Sequence, residues 1–103
     1  MQKIEILHIV ECPNWHEAED RVRSVLAELG ASNVPVETTL LSTPDEAAEV
    51  AFAGSPTILI DGADAFPSDG ATNDLACRIY FTETGLAGLP SLARLTEVLR
   101  AQL

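Results

Sequence analysis

Cationic side chains are scarce in this chain of 103 residues, which has six lysines and arginines against 16 aspartates and glutamates and a net charge of −10. Nucleic acids and anionic membrane surfaces are bound through positive patches. The charge balance therefore argues against both kinds of partner. Aromatic residues make up only 5 % of the chain, whereas hydrophobic residues make up 47 %. We expect a folded protein whose core is mainly aliphatic, and not a disordered chain.

Long apolar runs are also missing. No stretch approaches the ~20 residues that a membrane-spanning helix requires. Residues 1–5 lack the basic flank and cleavage site of a signal peptide. We therefore expect a cytoplasmic protein without a membrane partner. The length suits one compact domain, residues 1–103.

Cysteines are few, and only Cys12 and Cys77 are present. They form no Cys-x-x-Cys pair, and His8 and His16 complete no familiar zinc spacing, so we predict no metal site. Two thiols in a cytoplasmic chain give little support to a structural disulfide, because that compartment keeps thiols reduced.

Hydrophobic periodicity predicts alternating strands and helices. The strands are expected over residues 4–10, 34–41, 57–60 and 77–82. One helix begins at Trp15, a second follows a capping box of Thr43 and Glu46, and a third is entered through Pro90. The order βαβαββα predicts an α/β fold with a four-stranded mixed sheet flanked by helices, in which the first two strands are parallel.

Several polar or aromatic side chains are expected to have no catalytic part. Trp15 lies on the apolar stripe of the first helix and His8 lies in a covered strand, so we predict core positions for both. His16 is expected at the surface. The segment between the third and fourth predicted strands carries aspartates that fit no calcium-loop spacing and that we interpret as a solvated loop: Asp61, Asp64, Asp69 and Asp74.

Two short motifs stand at informative places in this order. Cys12-Pro13-Asn14-Trp15 follows a buried strand and opens a helix, and Gly54-Ser55-Pro56-Thr57 enters the third strand. They resemble the active-site motif and the cis-proline loop of the thioredoxin-like superfamily, and the match in element order covers essentially the whole chain. The resemblance implies a thioredoxin-like fold, a nucleophilic Cys12 stabilised as thiolate by the helix N-terminus, and a cis bond before Pro56. It also implies substrate binding by the motif residues, which are Pro13, Asn14, Trp15, Ser55, Pro56 and Thr57.

The Ser55 backbone is expected to pair with an extended thiol peptide by strand addition. Trp15 occupies the place of the second, resolving cysteine of dithiol members. The resemblance therefore implies a single-cysteine thiol–disulfide oxidoreductase or thiol-transfer protein, in which a mixed disulfide at Cys12 is resolved by an external thiol. Its partner is a thiol or disulfide substrate, either a small molecule or a protein. No cofactor is needed beyond a low-molecular-weight thiol such as glutathione.

Cys77 is the candidate second thiol. In the predicted topology it begins the fourth strand at the far end of the sheet, about 17 Å from the edge that carries Cys12. A disulfide needs Cα atoms within about 7 Å, so we expect a core or loop-anchoring thiol, unless the long preceding loop folds back and brings Cys77 to Cys12.

Two other functions remain open. One is a non-catalytic binding module with the same fold. The other is handling of mercury or organomercurials, because small bacterial proteins similar to this chain, with a Cys-Arg-x-Tyr segment (here Cys77-Arg78-Ile79-Tyr80), are sometimes labelled organomercury or alkylmercury lyases. Thiolates bind soft metals well, but cleavage of a carbon–mercury bond needs two thiols and an acid together. The predicted separation of Cys12 and Cys77 disfavours that reaction.

Overall fold

The computed structural model describes residues 2–67 and 75–102. In chain order, the elements are β1 (Ile4–His8), α1 (Trp15–Glu28), β2 (Val36–Leu40), α2 (Pro44–Ala48), β3 (Thr57–Ile60), β4 (Ala63–Asp64), β5 (Tyr80–Thr82), β6 (Gly85–Ala87) and α3 (Leu92–Gln102). Within the described ranges, no helix combines the length and the hydropathy needed to cross a bilayer.

The main sheet has the strand order β2-β1-β3-β4. β1 runs parallel to β2, with Ile4 opposite Val36, and antiparallel to β3, with Ile6 opposite Ile58. The parallel first pair is the arrangement that the right-handed crossover through α1 predicts. The mixed four-stranded sheet and the three helices are therefore confirmed.

The fourth strand of this sheet is not the predicted one. β4, Ala63–Asp64, pairs with the end of β3, whereas Tyr80–Thr82 pairs with Gly85–Ala87 in a separate two-stranded sheet. The reason is local. Asp61 and Gly62 both have positive φ, 51° and 87°. Such an Asp-Gly pair forms a two-residue hairpin turn, after which the chain pairs antiparallel with the strand that it has just left.

The capping box of α2 is present as predicted. The Thr43 hydroxyl accepts a bond from the Glu46 N–H at 3.2 Å, and the Glu46 carboxylate accepts one from the Thr43 N–H at 3.1 Å. These bonds satisfy helix N–H groups that have no partner within the helix. Pro44 takes the first helical position, where its missing N–H costs nothing.

Two apolar clusters lie on opposite faces of the sheet. Along β1, Ile4 and Ile6 belong to one and Leu7 to the other, as the alternation of a strand requires. The first, here the helix-face cluster, comprises Ile4, Ile6, Val22, Val25, Leu26, Ile58, Ile60, Ala65, Phe66, Tyr80, Leu95 and Leu99. The second, here the Cys12 cluster, comprises Leu7, Ile9, Cys12, Leu41, Ala47, Phe52 and Leu59. Trp15 packs against the helix-face cluster, as predicted.

Candidate functional site

Cys12 lies between the end of β1 and the start of α1, two residues before the N-cap residue Asn14. A turn places it there, in which the Cys12 N–H donates to the Ile9 carbonyl at 3.4 Å. Its side chain is only 1 % exposed and belongs to the Cys12 cluster. The sulfur therefore faces the core side of the sheet and not the solvent.

Cys77 is joined to Cys12 by a disulfide, with the two Cα atoms 5.9 Å apart. The prediction that Cys77 lies about 17 Å away at the far end of the sheet is wrong. Unlike Cys12, Cys77 is exposed. The bridge thus links one buried and one accessible residue across a sequence separation of 65.

Two backbone hydrogen bonds hold Cys77 beside Ser55, at the turn that precedes β3. The Ser55 N–H donates to the Ala76 carbonyl at 2.8 Å, and the Arg78 N–H donates to the Ser55 carbonyl at 2.9 Å. They form an isolated parallel bridge between Ser55 and Cys77. The predicted fourth strand was placed as if it followed β3 in the sheet, but residues 76–78 instead lie beside the turn that precedes β3.

The turn that precedes β3 is tied to the segment that carries Cys12. The Ser55–Pro56 peptide bond is cis, as predicted. The Ser55 hydroxyl accepts a bond from the Ile9 N–H at 3.1 Å, and the Thr57 hydroxyl accepts one from the Ala53 N–H at 3.0 Å. Ser55, Pro56 and Thr57 are all buried. A substrate strand added at the Ser55 backbone would first have to displace the chain's own residues 76–78.

A buried ion pair adjoins the disulfide. Arg78 is 1 % exposed, and its Nη1 lies 2.9 Å from Oδ1 of Asp64, whose side chain is 16 % exposed. The interpretation of Asp64 as part of a solvated loop is therefore wrong, while Asp69 and Asp74 lie outside the described residues. The sequence indicates this pair only through Arg78, a cation within the predicted strand segment from Cys77 to Phe81.

The remaining residues of the first motif differ in exposure. Pro13 is exposed, and Trp15 and Asn14 are half-buried. Asn14 lines a cavity of about 470 Å³ together with residues that include Arg21 and Glu83. Neither Cys12 nor Cys77 lines this cavity.

His8 is buried next to this motif, as predicted, and His16 is exposed. The His8 ring stacks on Trp15 with centroids 4.1 Å apart, and Trp15 also contacts the His16 ring. Burial lowers the pKa of His8, the charge of His16 lowers it further, and Glu19 opposes the shift. The His8 Nδ1 has no hydrogen-bond partner within the described part of the chain. The imidazole is therefore held in its neutral form more strongly than in water.

The described residues contain no group of three or more histidine, cysteine, aspartate or glutamate side chains placed to hold a metal ion. The fold does bring the two cysteine sulfurs together, in the disulfide.

Comparison with known proteins finds no match: no protein-family model, no curated protein and no solved structure corresponds to this chain at a significant level.

Proposed function

We propose that the chain is a thiol–disulfide oxidoreductase of thioredoxin-like fold in which Cys12 and Cys77 form the reversible disulfide. The observation that carries this proposal is the pairing itself, with Cα atoms 5.9 Å apart and only one partner accessible. Exposed disulfides are the labile ones in thiol exchange, whereas buried structural ones resist reduction. The thioredoxin-like part is supported by the strand order β2-β1-β3-β4 and by the cis bond before Pro56.

The sulfur of Cys77, the exposed residue of the pair, is assigned the first step. In the reduced protein, the Cys77 thiolate attacks one sulfur of a substrate disulfide, forms a mixed disulfide, and releases the other substrate sulfur as a thiolate. The Cys12 thiolate then attacks the Cys77 sulfur and releases the second substrate thiolate. Two electrons pass from the protein dithiol to the substrate disulfide, and the two released thiolates take up one proton each.

This scheme differs from the single-cysteine mechanism predicted from Trp15. There, an external thiol must resolve a mixed disulfide at Cys12, because the first motif contains no second cysteine. Here, Cys77 supplies the second thiol from another part of the chain. A low-molecular-weight thiol such as glutathione still has a part, because two equivalents of it reduce the protein disulfide and become oxidised glutathione.

The reactivity of single-cysteine variants tests the proposal. The reduced protein is mixed with oxidised glutathione, and its adducts are followed by mass spectrometry. Native protein is expected to pass to the Cys12–Cys77 disulfide without accumulating an adduct. Cys12→Ser is expected to accumulate a mixed disulfide at Cys77, because the resolving thiol is gone. Cys77→Ser is expected to react at least about tenfold more slowly, because a buried thiol is poorly accessible.

Two other results would contradict this scheme. Full turnover by Cys77→Ser in a glutathione-coupled disulfide-reduction assay would restore the single-cysteine mechanism at Cys12. Absence of any exchange in the native protein would contradict the oxidoreductase function and favour the non-catalytic binding module.

A second candidate, binding of a soft metal such as Hg²⁺ as substrate, is favoured by the same two sulfurs. The distance that argued against it in the sequence is not present in the structure, and paired thiolates are preferred ligands of soft cations. Native mass spectrometry of the reduced protein with Hg²⁺ tests it. One metal ion per chain that is retained against excess glutathione by the native protein, but not by Cys12→Ser or Cys77→Ser, would support the idea, and equal retention by the single variants would contradict it.

A further inference from the structure

We propose that Arg78 is a positioning residue for the Cys12–Cys77 pair, whose buried guanidinium holds Cys77 against Cys12 and thereby raises the equilibrium constant for disulfide formation. The inference rests on the proposed function, because it concerns the same two thiols. The proposal gives a role to Arg78, a buried cation that takes no part in the steps of thiol–disulfide exchange. Charged side chains are rarely buried without a specific partner.

Exposed and buried residues alternate along this part of the chain, so that the buried Arg78 directly follows the exposed Cys77. Cys77 and Ile79 are exposed, whereas Arg78 and Tyr80 are 1 % and 0 % exposed. An inward side chain that is fixed restrains the extended backbone on both sides of it. A restraint on Arg78 is therefore also a restraint on the Cα position of Cys77.

The guanidinium of Arg78 is fixed from several directions. Nη1 lies 2.9 Å from Asp64 Oδ1, Nη2 donates to the Phe66 carbonyl, and the guanidinium carbon lies 4.8 Å from the centroid of the Tyr80 ring. Asp64 is itself held, because the same oxygen accepts the Phe66 N–H at 2.9 Å. The planar guanidinium suits this set of acceptors better than an ammonium group would, since its donors have a fixed geometry.

The backbone of Arg78 is held as closely as its side chain. Its N–H donates to the Ser55 carbonyl at 2.9 Å, and Gly54 lies directly against it. A Cβ at Gly54 would come within 2.7 Å of the Arg78 Cβ. Residues 76–78 are thus anchored on the turn that also binds, through the Ser55 hydroxyl, the backbone of Ile9 next to the Cys12 segment.

This anchoring bears on the redox equilibrium through effective concentration. Two thiols joined by a long flexible chain meet at an effective concentration of millimolar order, and groups held in reacting geometry exceed it by several orders of magnitude. Contacts that keep residues 76–78 beside Cys12 in the reduced protein raise the fraction of molecules whose two thiols can react, and so raise the equilibrium constant. Contacts that do not alter this fraction leave the constant unchanged.

The equilibrium constant is measured on the full chain in mixtures of reduced and oxidised glutathione. The reaction is balanced: protein dithiol plus oxidised glutathione gives the protein disulfide plus two reduced glutathiones. Samples are quenched by alkylation, and mass spectrometry gives the oxidised fraction. We expect Arg78→Met to lower the constant about tenfold, the loss expected for hydrogen bonds to a charged group, which corresponds to about 30 mV for a two-electron couple.

Conservative variants separate positioning from mere structural support. Asp64→Asn keeps the shape of the acceptor and removes its charge, and Arg78→Lys keeps the charge and removes the planar donors. Both are expected to lower the constant by several-fold but less than Arg78→Met. The matched control is Arg23→Met, which removes an exposed i,i+4 ion pair with Glu19 on α1. We expect Arg23→Met to leave the constant unchanged.

Folding is checked on each reduced variant by circular dichroism and by cooperative thermal unfolding. If Arg78→Met does not fold, Asp64→Asn and Arg78→Lys decide the question. Folded variants whose constants stay within twofold of the native value would overturn the positioning role and leave the proposed function intact. Native protein that reaches no redox equilibrium with glutathione would instead overturn the proposed function, and the positioning role with it.

Discussion

The central strands and the segment that carries Cys77 are held in the fold by different means. β1 pairs with both β2 and β3 along its length, and Ile4, Ile6 and Leu7 on it are fully buried. Residues 76–78, here the Cys77 segment, are instead held by two backbone bonds to Ser55, by the buried side chain of Arg78 and by the disulfide. The central strands are thus held by a repeated ladder of backbone pairs, whereas the Cys77 segment is held by contacts of several different kinds.

This difference indicates which region of the fold should respond to the redox state of the two cysteines. A strand in the middle of a sheet has the same partners whether or not the cysteines are joined, because its bonds do not involve them. The Cys77 segment contains one end of the disulfide and belongs to neither sheet. Oxidation and reduction are therefore expected to alter the stability of this segment much more than that of the central sheet.

The largest effect is expected in the central sheet itself. Ile6 is 0 % exposed in the helix-face cluster, and Ile6→Ala should lower the free energy of unfolding by about 3 kcal/mol, since it removes buried methyl groups and leaves a cavity. Urea denaturation measures this. The glutathione equilibrium constant should change by less than twofold, because both redox states lose the same contacts.

The control for this change is Leu40→Ala on β2, where the side chain is 47 % exposed. Its cost should stay below about 1 kcal/mol. Equal costs at Ile6 and Leu40, or a large change of the redox equilibrium in Ile6→Ala, would contradict the separation of the two regions.

A smaller effect is expected where the Cys77 segment meets the turn before β3. Gly54 has φ 111°, and a Cβ there would meet Arg78 at 2.7 Å, so Gly54→Ala should cost about 2 kcal/mol from the backbone and the contact together. It should also lower the glutathione equilibrium constant, because it pushes residues 76–78 away from Cys12. Urea denaturation and the glutathione titration measure the two effects.

Gly62→Ala is the matched control, since Gly62 also has positive φ, 87°, but a Cβ there would have no neighbour within 4 Å. It should cost only the backbone part, about 1 kcal/mol, with no redox effect. A redox equilibrium that responds equally to both substitutions would show that the contact with Arg78 is unimportant.

The smallest effect is expected from His8, on the helix face of the sheet. Its pKa is lowered in the folded protein, mainly by burial and then by His16, so the unfolded chain binds more protons as the pH falls through the ordinary value of 6.5. Stability is thus fully present above that value and is lost progressively below it. Urea midpoints between about pH 7 and pH 5.5, above the range where most carboxylates titrate, measure the loss.

His8→Phe keeps an aromatic ring against Trp15 and removes the titrating group. Its urea midpoint should be flat over the same range, and its glutathione equilibrium constant should equal the native one. A native midpoint that does not fall, or a variant midpoint that falls equally, would show that His8 is not the group responsible.

Local patterns were enough for most of the fold. The apolar run before Cys12 predicts β1, the apolar stripe after Trp15 predicts α1, and Thr43 with Glu46 predicts the start of α2, because each depends on residues close in sequence. The same reasoning failed at the fourth strand. β3 ends before Asp61-Gly62 as predicted, but the positive φ angles of this pair make a tight hairpin to β4, a segment that was expected to be a solvated loop.

The candidate site was only partly accessible to such reasoning. Cys12 and a cis bond before Pro56 were expected from two short motifs, and the structure places Ser55 and the Cys12 segment in contact through Ile9. The Cys77 partner and the Arg78–Asp64 pair were not expected. They join residues from distant parts of the chain, and the hydrophobic pattern carries no information about such pairings.

The sequence by itself determined the alternation of strands and helices, the division of β1 between two apolar faces, and the presence of two cysteines outside any Cys-x-x-Cys motif. These are consequences of local periodicity and composition. Only the tertiary structure decided that the cysteines meet, with Cα atoms 5.9 Å apart across 65 residues. The physical reason is that their approach is set by contacts between distant residues. The Ser55 bonds to residues 76–78 and the Arg78–Asp64 pair each join residues that are well separated in the sequence.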